Sequence, residues 1–517
     1  MAPHTEVCLR RSHQALNPQM QAVADVCLIV EGGYPYQLGG VSSWSDAFIR
    51  ASPDLTFHVI AISVSSQLRV PKFARPGNLL GVTDVILDKA HQGRPPKRSD
   101  EPEITRAVGL MQSAITDDNK ASFCALIDLV MNSGLGRAAL LDSKSAWMAM
   151  ERVYHDLLPD GSLLDFFWSW RFMAQGLLSI ITTPLPKARI FHSVATGYCG
   201  LVGAYAKHTT GRPLIVTEHG IYTNERRIEL SVAEWLFDSG AGGYSVENRP
   251  PELRDVWMSA FNTFSRIAYG LADVITTQYL ANQDYQLCDG ALRDKLRIIP
   301  NGIDVDRYAA VERCNEPKPP TVLMIGRIVP IKDTRTFISA VSMLKQLIPG
   351  VIAIVIGPED EDPAYAAGCR DLVVRLELEN TIQFLARVPD VVEYLARADV
   401  LALTSISEAQ PIALLEAAAV GLPAVTTDVG SCRDIVEGFA DDPVIGAGGI
   451  VVDACDAEGV AQALATILLD DALRESMGNV MRRRVANYYH KDRVRRLYND
   501  MYATTSARYC IDANKVW

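Results

Sequence analysis

Short apolar runs rich in valine and isoleucine recur along this chain and alternate with longer stretches of helical periodicity. Most of these runs lack polar–apolar alternation, as expected of parallel strands that are covered on both faces. Repetition of strand, helix and strand predicts doubly wound α/β units with right-handed crossovers. The predicted strands are Val26–Val30, Thr56–Ile62, Ile190–His192, Leu214–Thr217, Val274–Thr277, Val322–Ile325, Val351–Ile356, Thr381–Leu385, Val400–Thr404 and Ala424–Thr426.

The length of 517 residues exceeds what one ordinary hydrophobic core supports, and it indicates two to four domains. The segment Ile299–Asp304 is typical of a turn between two α/β units, so we place a boundary close to residue 300. We therefore predict an N-terminal extension at 1–24, a first Rossmann-like domain at 25–300 and a second at 301–489. Residues from about 73 to 164 lack clear strands after Val85–Leu87, and we interpret them as a helical insertion in the first domain.

Composition excludes several classes of protein. A net charge of −11 argues against a nucleic-acid binder, which normally presents a basic face. No Gly-x-Gly-x-x-Gly follows a predicted strand and no Walker loop occurs, which counts against a dinucleotide-dependent dehydrogenase or a P-loop enzyme. The ten cysteines lie more than three residues apart, so we expect free thiols in a reducing compartment. Neither a signal peptide nor an apolar run of 18 residues is visible, and we predict a cytoplasmic protein.

Residues 407–425 place two carboxylates, Glu408 and Glu416, eight positions apart across the junction of a loop and a helix. Pro411 suits the first helical position, and Gly421 suits the end of the helix. The free N–H groups of a helix N-terminus bind anions such as phosphate. Two carboxylates that accept hydroxyl groups around an anion site suit a sugar nucleotide, with a polyol at one end, a ribose at the other and a diphosphate between them.

Two further loops carry candidate residues at predicted strand ends. Gly39 and Gly40 follow the strand Val26–Val30 and open a helix, so their backbone N–H groups can approach an anion closely. His219 follows the strand Leu214–Thr217, where the active sites of open α/β sheets form.

Basic residues occupy the loop after the strand Val322–Ile325. Arg327 and Lys332 are close enough in sequence to bind one diphosphate together. The guanidinium of Arg327 can make two parallel hydrogen bonds, and the ammonium of Lys332 provides a compact positive charge. On the acceptor side the sequence offers only weaker candidates, namely His192, Tyr222 and Arg226.

These motifs resemble a known family. The Glu408-x7-Glu416 pattern matches the motif of retaining glycosyltransferases of family 4. The stretches Tyr34–Trp44 and Thr217–Tyr222 are similar to those of the PelF-like glycosyltransferases of Pel exopolysaccharide biosynthesis. The resemblance extends from about Val26 to Tyr502. It implies a GT-B fold, an α/β architecture in which two Rossmann-like doubly wound domains face across a cleft, with the C-terminal helix 490–517 completing the first domain.

The resemblance also implies roles for individual residues. Arg327 and Lys332 hold the leaving diphosphate, which Gly39 and Gly40 also face, and His219 contacts the donor sugar near the reacting carbon. Glu408 accepts hydrogen bonds from the sugar and Glu416 from the ribose, so Glu408 positions the sugar and is not a covalent nucleophile. Backbone groups at Arg387 and Val388 meet the base. The predicted catalytic set is His219, Arg327, Lys332 and Glu408, and the donor site also includes Ala409, Gln410, Pro411 and Ile412.

The predicted activity is therefore that of a UDP-sugar-dependent retaining hexosyltransferase. It transfers a hexose or N-acetylhexosamine, with UDP-glucose or UDP-N-acetylgalactosamine as plausible donors, to a growing Pel-type exopolysaccharide. No cofactor or metal is required, because the cations and helix N-termini stabilise the leaving diphosphate. The expected partners are the polysaccharide acceptor and the synthesis and secretion proteins of an inner-membrane complex, beside which the cytoplasmic protein acts.

Three alternatives stay open. The acceptor could be a lipid or a small metabolite, as in other members of family 4. A non-catalytic sugar-nucleotide-binding scaffold of a secretion complex is a second alternative. A glycoside hydrolase with two catalytic carboxylates is the third, and the basic pair Arg327 and Lys332 disfavours it.

Overall fold

The computed structural model describes residues 22–510, apart from 38, 65–69, 118–119, 233–251, 314–317, 389, 440–441, 443 and 445. Most of the predicted N-terminal extension at 1–24 lies outside the described residues. The chain divides into two compact units. Unit 1 contains the chain up to Thr217, then Tyr222–Ile275 and the residues from Thr505 onwards. Unit 2 contains Glu218–Ile221 and Thr276–Thr504.

All ten predicted strands are present, with ends that differ by at most two residues. The sequence indicated only the last residues of β3, and it did not predict β7 and β13. The full set is β1 (Ala24–Glu31), β2 (Phe57–Ser63), β3 (Leu79–Ile86), β4 (Ala188–Ser193), β5 (Leu214–Glu218), β6 (Val274–Thr277), β7 (Leu296–Ile298), β8 (Thr321–Ile325), β9 (Ile352–Ile356), β10 (Ile382–Leu385), β11 (Val400–Leu403), β12 (Ala424–Thr427) and β13 (Gly449–Val452).

The strands form two sheets. One has seven strands in the order β3-β2-β1-β4-β5-β6-β7, and the other has six in the order β10-β9-β8-β11-β12-β13. All five neighbouring pairs of the six-stranded sheet are parallel, as are β1–β2, β2–β3, β1–β4 and β4–β5 of the larger sheet. In each sheet the chain first winds outward on one side and then continues on the other side of its first strand. The strand order therefore reverses between β1 and β4 and between β8 and β11, which confirms the doubly wound Rossmann-like prediction.

Helices occupy most of the connections. Residues 73–164, interpreted from sequence as a helical insertion, contain the strand β3 as well as helices. The helices are α1 (Gly40–Ala51), α2 (Glu101–Thr116), α3 (Lys120–Ser133), α4 (Arg137–Leu140), α5 (Lys144–Leu157), α6 (Leu163–Ile181), α7 (Gly197–Thr210), α8 (Tyr222–Val232), α9 (Leu253–Leu271), α10 (Ala281–Cys288), α11 (Val305–Ala309), α12 (Thr334–Leu347), α13 (Pro363–Arg375), α14 (Val392–Arg397), α15 (Ile412–Val420), α16 (Cys432–Val436), α17 (Ala457–Leu469), α18 (Asp471–Tyr488) and α19 (Lys491–Cys510).

The six-stranded sheet has a core on each face because its strands are apolar throughout. Phe337 and Leu344 of α12 pack with Leu464 of α17 on one face. Leu414 and Leu415 of α15 pack on the other. Each such side chain is fully buried, and burial of one contributes about 1.5–3 kcal/mol. Two covered faces explain why the strand sequences show no alternation.

One buried ion pair ties α18 to the segment before β13. Arg484 is fully buried and pairs with Asp442, and its guanidinium also donates to the carbonyl oxygens of Val436 at 2.7 Å and Gly446 at 2.8 Å. A buried guanidinium is tolerated only when such bonds satisfy its donors.

Within the described residues, no helix is both long and apolar enough to cross a membrane. Seven of the ten cysteines fall among the residues whose thiol state is described, and these seven are free.

Candidate active site

Two loops flank the point where the strand order of the six-stranded sheet reverses. One follows β8 and runs from Gly326 to Asp333, and the other follows β11 and runs from Thr404 to Pro411. The Ile406 N–H donates to the Ile331 carbonyl at 2.8 Å, and the hydroxyl of Thr404 donates to the Asp333 carbonyl at 2.9 Å. The two loops are therefore fixed to each other, at the edge where ligands of open α/β sheets bind.

Lys332 and Glu408 meet between these loops. The Lys332 ammonium donates to Glu408 Oε1, and the Ser405 hydroxyl donates to the same oxygen at 2.7 Å. The side chain of Glu408 is 9% exposed and that of Lys332 is 20% exposed. The structure thus brings together a cation and a carboxylate that the sequence assigned to the diphosphate and the sugar.

Arg327 lies on the same β8 loop but has another partner. Its guanidinium pairs with Glu361 at 2.7 Å, and both side chains are about half exposed. Exposed pairs of this kind contribute little to stability, about 0–1 kcal/mol, so an anionic ligand can displace Glu361 at low cost. The structure does not place Arg327 and Lys332 on one shared group.

Gly430, in the turn after β12, packs against the backbone of the β11 loop. Gly430 has a positive φ of 56°, and a Cβ there would lie 2.3 Å from the Glu408 carbonyl oxygen and 2.4 Å from that of Ala409. The Ser431 N–H donates to the Ala409 carbonyl at 2.9 Å. The turn after β12 therefore fixes the backbone that carries Glu408.

The helix α15 begins at Ile412, so Pro411 is its N-cap residue and not the first helical residue that the sequence predicted. The helix ends at Gly421 in the left-handed conformation, as predicted. Ile412 is exposed while Pro411 is buried. The first helical N–H group therefore belongs to Ile412, one residue later than predicted, and it directly follows the loop that carries Glu408.

Glu416 lies on α15, half-buried. Its Oε1 accepts a hydrogen bond of 2.6 Å from the Tyr308 hydroxyl. Burial raises the pKa of Glu416, although the Tyr308 hydrogen bond and the nearby Arg307 act in the opposite direction. Tyr308 leaves Oε2 as the oxygen that a ligand hydroxyl can use.

His219 is connected to the Glu408 loop through Asn301. The Nδ1 of His219 lies 3.1 Å from Gln278 Nε2, and the Asn301 side chain also hydrogen-bonds to His219. The backbone N–H of Asn301 donates to Gln410 Oε1 at 2.5 Å. Burial lowers the pKa of His219 to about 4 despite the Asn301 contact, so the imidazole is neutral at physiological pH.

The remaining donor-side candidates lie on other loops. Arg387 is exposed and Val388 is half-buried, and both follow β10, the edge strand of the six-stranded sheet. In unit 1, Gly39 precedes α1 and Gly40 begins it, and both are exposed. Neither glycine lies in the left-handed region, and a Cβ on either would meet no atom within 4 Å.

The acceptor-side candidates all lie in unit 1, and each has partners within the protein. His192 lies within β4, in agreement with the predicted strand Ile190–His192, and it is fully buried with its Nε2 2.7 Å from the Thr217 hydroxyl. Tyr222 is buried and Arg226 lies over its ring at 5.1 Å, while Arg226 also pairs with Glu229 at 2.7 Å. His192 therefore has no surface for a direct ligand contact in this structure.

Three residues of the site were not predicted from the sequence: Ser405, Asn301 and Tyr308. Ser405 and Tyr308 each act through one side-chain contact, and Asn301 acts through two, to His219 and to Gln410. Of the three, only Asn301 had a signal in the sequence, because it belongs to the segment Ile299–Asp304 that is typical of a turn between two α/β units.

Among the described residues, no group of three or more His, Cys, Asp or Glu side chains could hold a metal ion.

Comparison with known families divides the chain in two. Residues 24–294, more than half of the sequence, match the family described as "Domain of unknown function (DUF3492)". The chain belongs to this family. Residues 310–484, which include Arg327, Lys332, Glu408 and Glu416, match "Glycosyl transferases group 1".

Curated relatives are similar over part of their length. The chain is 24% identical over 242 residues to the UDP-Gal:alpha-D-GlcNAc-diphosphoundecaprenol alpha-1,3-galactosyltransferase of Escherichia coli, covering 43% of this chain and 59% of that protein. It is 30% identical over 198 residues to the D-inositol 3-phosphate glycosyltransferase of Nocardia farcinica, covering 36% and 42%. The chain thus spans about half the length of the curated relatives it matches.

Solved structures share the fold. Anabaena Alr3699/HepE, solved in complex with UDP and glucose, matches with a TM-score of 0.54 and 15% identity, covering 93% of this chain and 99% of that one. The sucrose-phosphate synthase of Thermosynechococcus elongatus matches with a TM-score of 0.56 and 16% identity over the same shares. These likenesses confirm the predicted GT-B class of α/β fold.

Proposed function

We propose that this DUF3492 protein is a retaining glycosyltransferase that transfers a hexose or N-acetylhexosamine from a UDP-sugar to a growing exopolysaccharide of the Pel type. The observation that carries the proposal is the Lys332–Glu408–Ser405 cluster, which lies where the strand order of the six-stranded sheet reverses. The match of residues 310–484 to group 1 glycosyltransferases supports sugar transfer. The UDP bound in the Anabaena Alr3699/HepE structure supports the choice of uridine.

In the proposed donor complex, the diphosphate replaces carboxylates as the partner of the two cations. Lys332 releases Glu408 and binds the diphosphate, and Arg327 releases the exposed Glu361. Glu408 then accepts hydrogen bonds from the sugar hydroxyls. The N–H groups at the start of α15 and the Gly39–Gly40 turn contribute to the same charge, which grows as the leaving group departs.

The transfer step needs no covalent enzyme intermediate. The bond between the anomeric carbon and the diphosphate oxygen breaks, and the acceptor oxygen bonds to the same face of the sugar. The acceptor proton passes to the departing diphosphate, so charge and atoms balance without a side-chain base. The neutral imidazole of His219 contacts the donor sugar near the reacting carbon, and no metal ion is required.

At the nucleoside end, the free oxygen of Glu416 accepts a hydrogen bond from the ribose. Tyr308 fixes the orientation of this carboxylate through its bond to the other oxygen. Backbone groups at Arg387 and Val388 meet the base. Ala409, Gln410, Pro411 and Ile412 complete the donor side.

The acceptor is the second part of the proposal. The names of two relatives include a lipid diphosphate and an inositol phosphate, so a lipid or small-molecule acceptor is the alternative to a polysaccharide. We place the enzyme in the cytoplasm beside an inner-membrane synthesis and secretion complex. A non-catalytic scaffold that only binds the sugar nucleotide remains the alternative to an enzyme.

Calorimetric titration tests the donor assignment. Wild type, Arg327→Ala and Glu408→Ala are titrated with UDP, UDP-glucose, UDP-N-acetylgalactosamine and GDP. Arg397→Ala is the matched control, because Arg397 is also an exposed arginine paired with a glutamate, but it lies at the end of α14. We expect saturable binding of UDP-sugars that Arg327→Ala weakens about tenfold or more and Arg397→Ala leaves unchanged.

The outcomes separate the alternatives. Absence of binding by any uridine nucleotide rejects the donor assignment. Binding without release of UDP in the presence of polysaccharide, lipid-linked or small-molecule acceptors favours the scaffold. Release with only one of these acceptor classes identifies the acceptor.

A further inference from the structure

The seven-stranded sheet has its own point of strand reversal, between β1 and β4. Glu31 is the last residue of β1, and α7 begins at Gly197, four residues after the end of β4. Ligands of open α/β sheets bind outside the carboxyl ends of the strands at such a point. None of the roles assigned above uses a side chain at this position.

Only one of the two carboxyl oxygens of Glu31 has a hydrogen-bond partner among the described residues. It accepts a hydrogen bond from the Cys199 N–H in the first turn of α7. Its second oxygen, Oε2, is buried and has no hydrogen-bond partner among the described residues. Leaving a buried polar atom without a partner costs about 1–3 kcal/mol, so a purely structural carboxyl is a poor explanation.

Tyr198, the residue before Cys199, also has a buried polar atom without a hydrogen-bond partner among the described residues. Its side chain is 4% exposed, and its hydroxyl likewise lacks a hydrogen-bond partner in the described chain. Glu31 is close enough to raise the pKa of Tyr198 electrostatically, in addition to the effect of burial. The phenol end of Tyr198 lies against Gly176 of α6, so its hydroxyl and Oε2 of Glu31 are two separate buried polar atoms without partners in the part of the chain that the structure describes.

The surroundings of Glu31 favour an uncharged ligand. The groups that act on it electrostatically are Arg226 and Glu229 of α8, and it acts in turn on Tyr198, Cys199 and Tyr222. Burial raises the pKa of Glu31 to about 7, although Arg226 lowers it. A carboxyl with this pKa both donates and accepts hydrogen bonds near neutral pH, as a hydroxyl does, whereas a phosphate would be repelled by its charged form and by Glu229.

The wall of this site is built by close packing. Gly197 has a positive φ of 62°, and a Cβ there would lie 2.3 Å from the Tyr222 ring. The ring therefore packs directly on the backbone at the start of α7, with Arg226 over it. Tyr222 is 7% exposed, so its ring forms a wall beside Glu31 and not a stacking surface.

We propose that Glu31 binds a hydroxyl group of the acceptor sugar at the strand reversal of the seven-stranded sheet. This inference rests on the proposed function, since it assigns the acceptor side of the same reaction. Glu31 would be an acceptor-binding residue, and Tyr222 with Arg226 would shape the site around it.

The experiment follows the Glu31 carboxyl carbon by NMR in protein labelled at the glutamate side chains. Glu31→Gln identifies the signal by its disappearance, and Glu103→Gln on the exposed side of α2 provides a reference signal. Glucose and N-acetylglucosamine are the probes, each with and without UDP. We expect the Glu31 signal to titrate near pH 7 and to shift on addition of a probe, while the Glu103 signal stays in place.

Two variants separate a binding role from a structural one. Glu31→Gln keeps an acceptor for the Cys199 N–H, and Tyr198→Phe, which removes a neighbouring buried hydroxyl but keeps the ring, is the control that should leave the affinities for UDP and glucose unchanged. We expect Glu31→Gln to raise the KM for glucose as acceptor about tenfold or more and to leave UDP affinity unchanged. A loss of UDP affinity equal to the loss of glucose affinity would indicate a structural role and overturn the proposal.

A Glu31 signal that neither sugar moves, up to the solubility of each probe, also overturns it. The same samples report UDP binding by calorimetry. UDP binding without a sugar-dependent shift rejects this inference and leaves the proposed function standing, whereas absence of UDP binding rejects the proposed function.

Discussion

At the scale of single residues, Lys332 is the cation on which the proposed donor site depends most. It is largely buried, and it neutralises Glu408 in the absence of a ligand. Arg327 is half exposed and pairs with a carboxylate outside the β11 loop. The two cations of one sequence motif therefore have different environments, and their removal should have different consequences.

We predict that Lys332→Ala lowers the rate of UDP-sugar turnover about 100-fold or more, because it removes a preorganised charge from the leaving group. The measurement is UDP release at saturating donor. Lys345→Ala is the control, since Lys345 is a partly exposed lysine of α12 whose ammonium donates to the Glu377 carbonyl at 2.9 Å. Turnover within threefold of wild type would contradict the assignment of Lys332.

His219 provides a prediction on pH. Its pKa is about 4 in the folded protein and about 6.5 in the unfolded chain, so the unfolded chain binds more protons between these values. Stability from this group is therefore fully present above pH 6.5 and is lost as the pH falls toward 4.

We expect His219→Gln to lose less stability than wild type between pH 7 and pH 4.5, by on the order of 2 kcal/mol. Chemical denaturation at a series of pH values measures this difference. His155→Gln, on the exposed face of α5, is the control. Parallel stability curves for wild type and His219→Gln would show that the imidazole is not held neutral.

At the scale of elements, the turn after β12 controls the loop that carries Glu408. Gly430 adopts a left-handed conformation directly beneath two carbonyl oxygens of that loop. A side chain there meets backbone atoms, which cannot rotate away. The loop must move, and Glu408 must move with it.

We therefore predict that Gly430→Ala destabilises the protein by about 1–3 kcal/mol and weakens UDP-sugar binding about tenfold or more. Gly350→Ala is the matched control, because a Cβ at Gly350 meets no atom within 4 Å and its φ is not positive. Calorimetry and thermal unfolding measure both effects. Normal UDP-sugar binding by a destabilised Gly430→Ala protein would show that the turn after β12 does not control the position of Glu408.

Element type was predictable from sequence because strands covered on both faces are continuous apolar runs. The strands that the sequence indicated only in part or not at all lack that signal for physical reasons. β3 lies at the edge of its sheet and has exposed positions. β7 has three residues, and β13 begins with a glycine on the other sheet's edge.

The candidate site was predictable where strand ends determine position. Lys332 and Glu408 follow β8 and β11, neighbouring strands at a reversal of strand order, so their meeting follows from topology. The Asn301 contacts with His219 and Gln410 do not follow, because they depend on the conformations of three loops. The partly satisfied carboxyl of Glu31 also required atomic positions, since a glutamate that ends a strand is a common feature of sequences.

At the scale of the whole molecule, the chain contains two units, each with its own parallel strands and buried core. All residues proposed to bind the sugar, ribose and base belong to unit 2, as do the loops of the Lys332–Glu408 cluster, and of the proposed donor site only the Gly39–Gly40 turn belongs to unit 1. A ligand stabilises whatever folded structure binds it, by about 2.7 kcal/mol at 100 times its Kd. Binding of UDP should therefore affect the two units unequally.

We predict that saturating UDP slows amide hydrogen exchange about 100-fold in the core of unit 2, in α12 and α15, and leaves the amides of α6 in unit 1 almost unchanged. Exchange followed by mass spectrometry resolves these helices as separate peptides, and GDP serves as the control nucleotide. Local protection at residues 404–412 without slowing in α12 would mean that UDP binds but does not stabilise the whole unit. Equal slowing in α6 would show instead that the two units unfold as one, because a ligand held mainly by unit 2 can protect α6 to the same extent only when both units must open together.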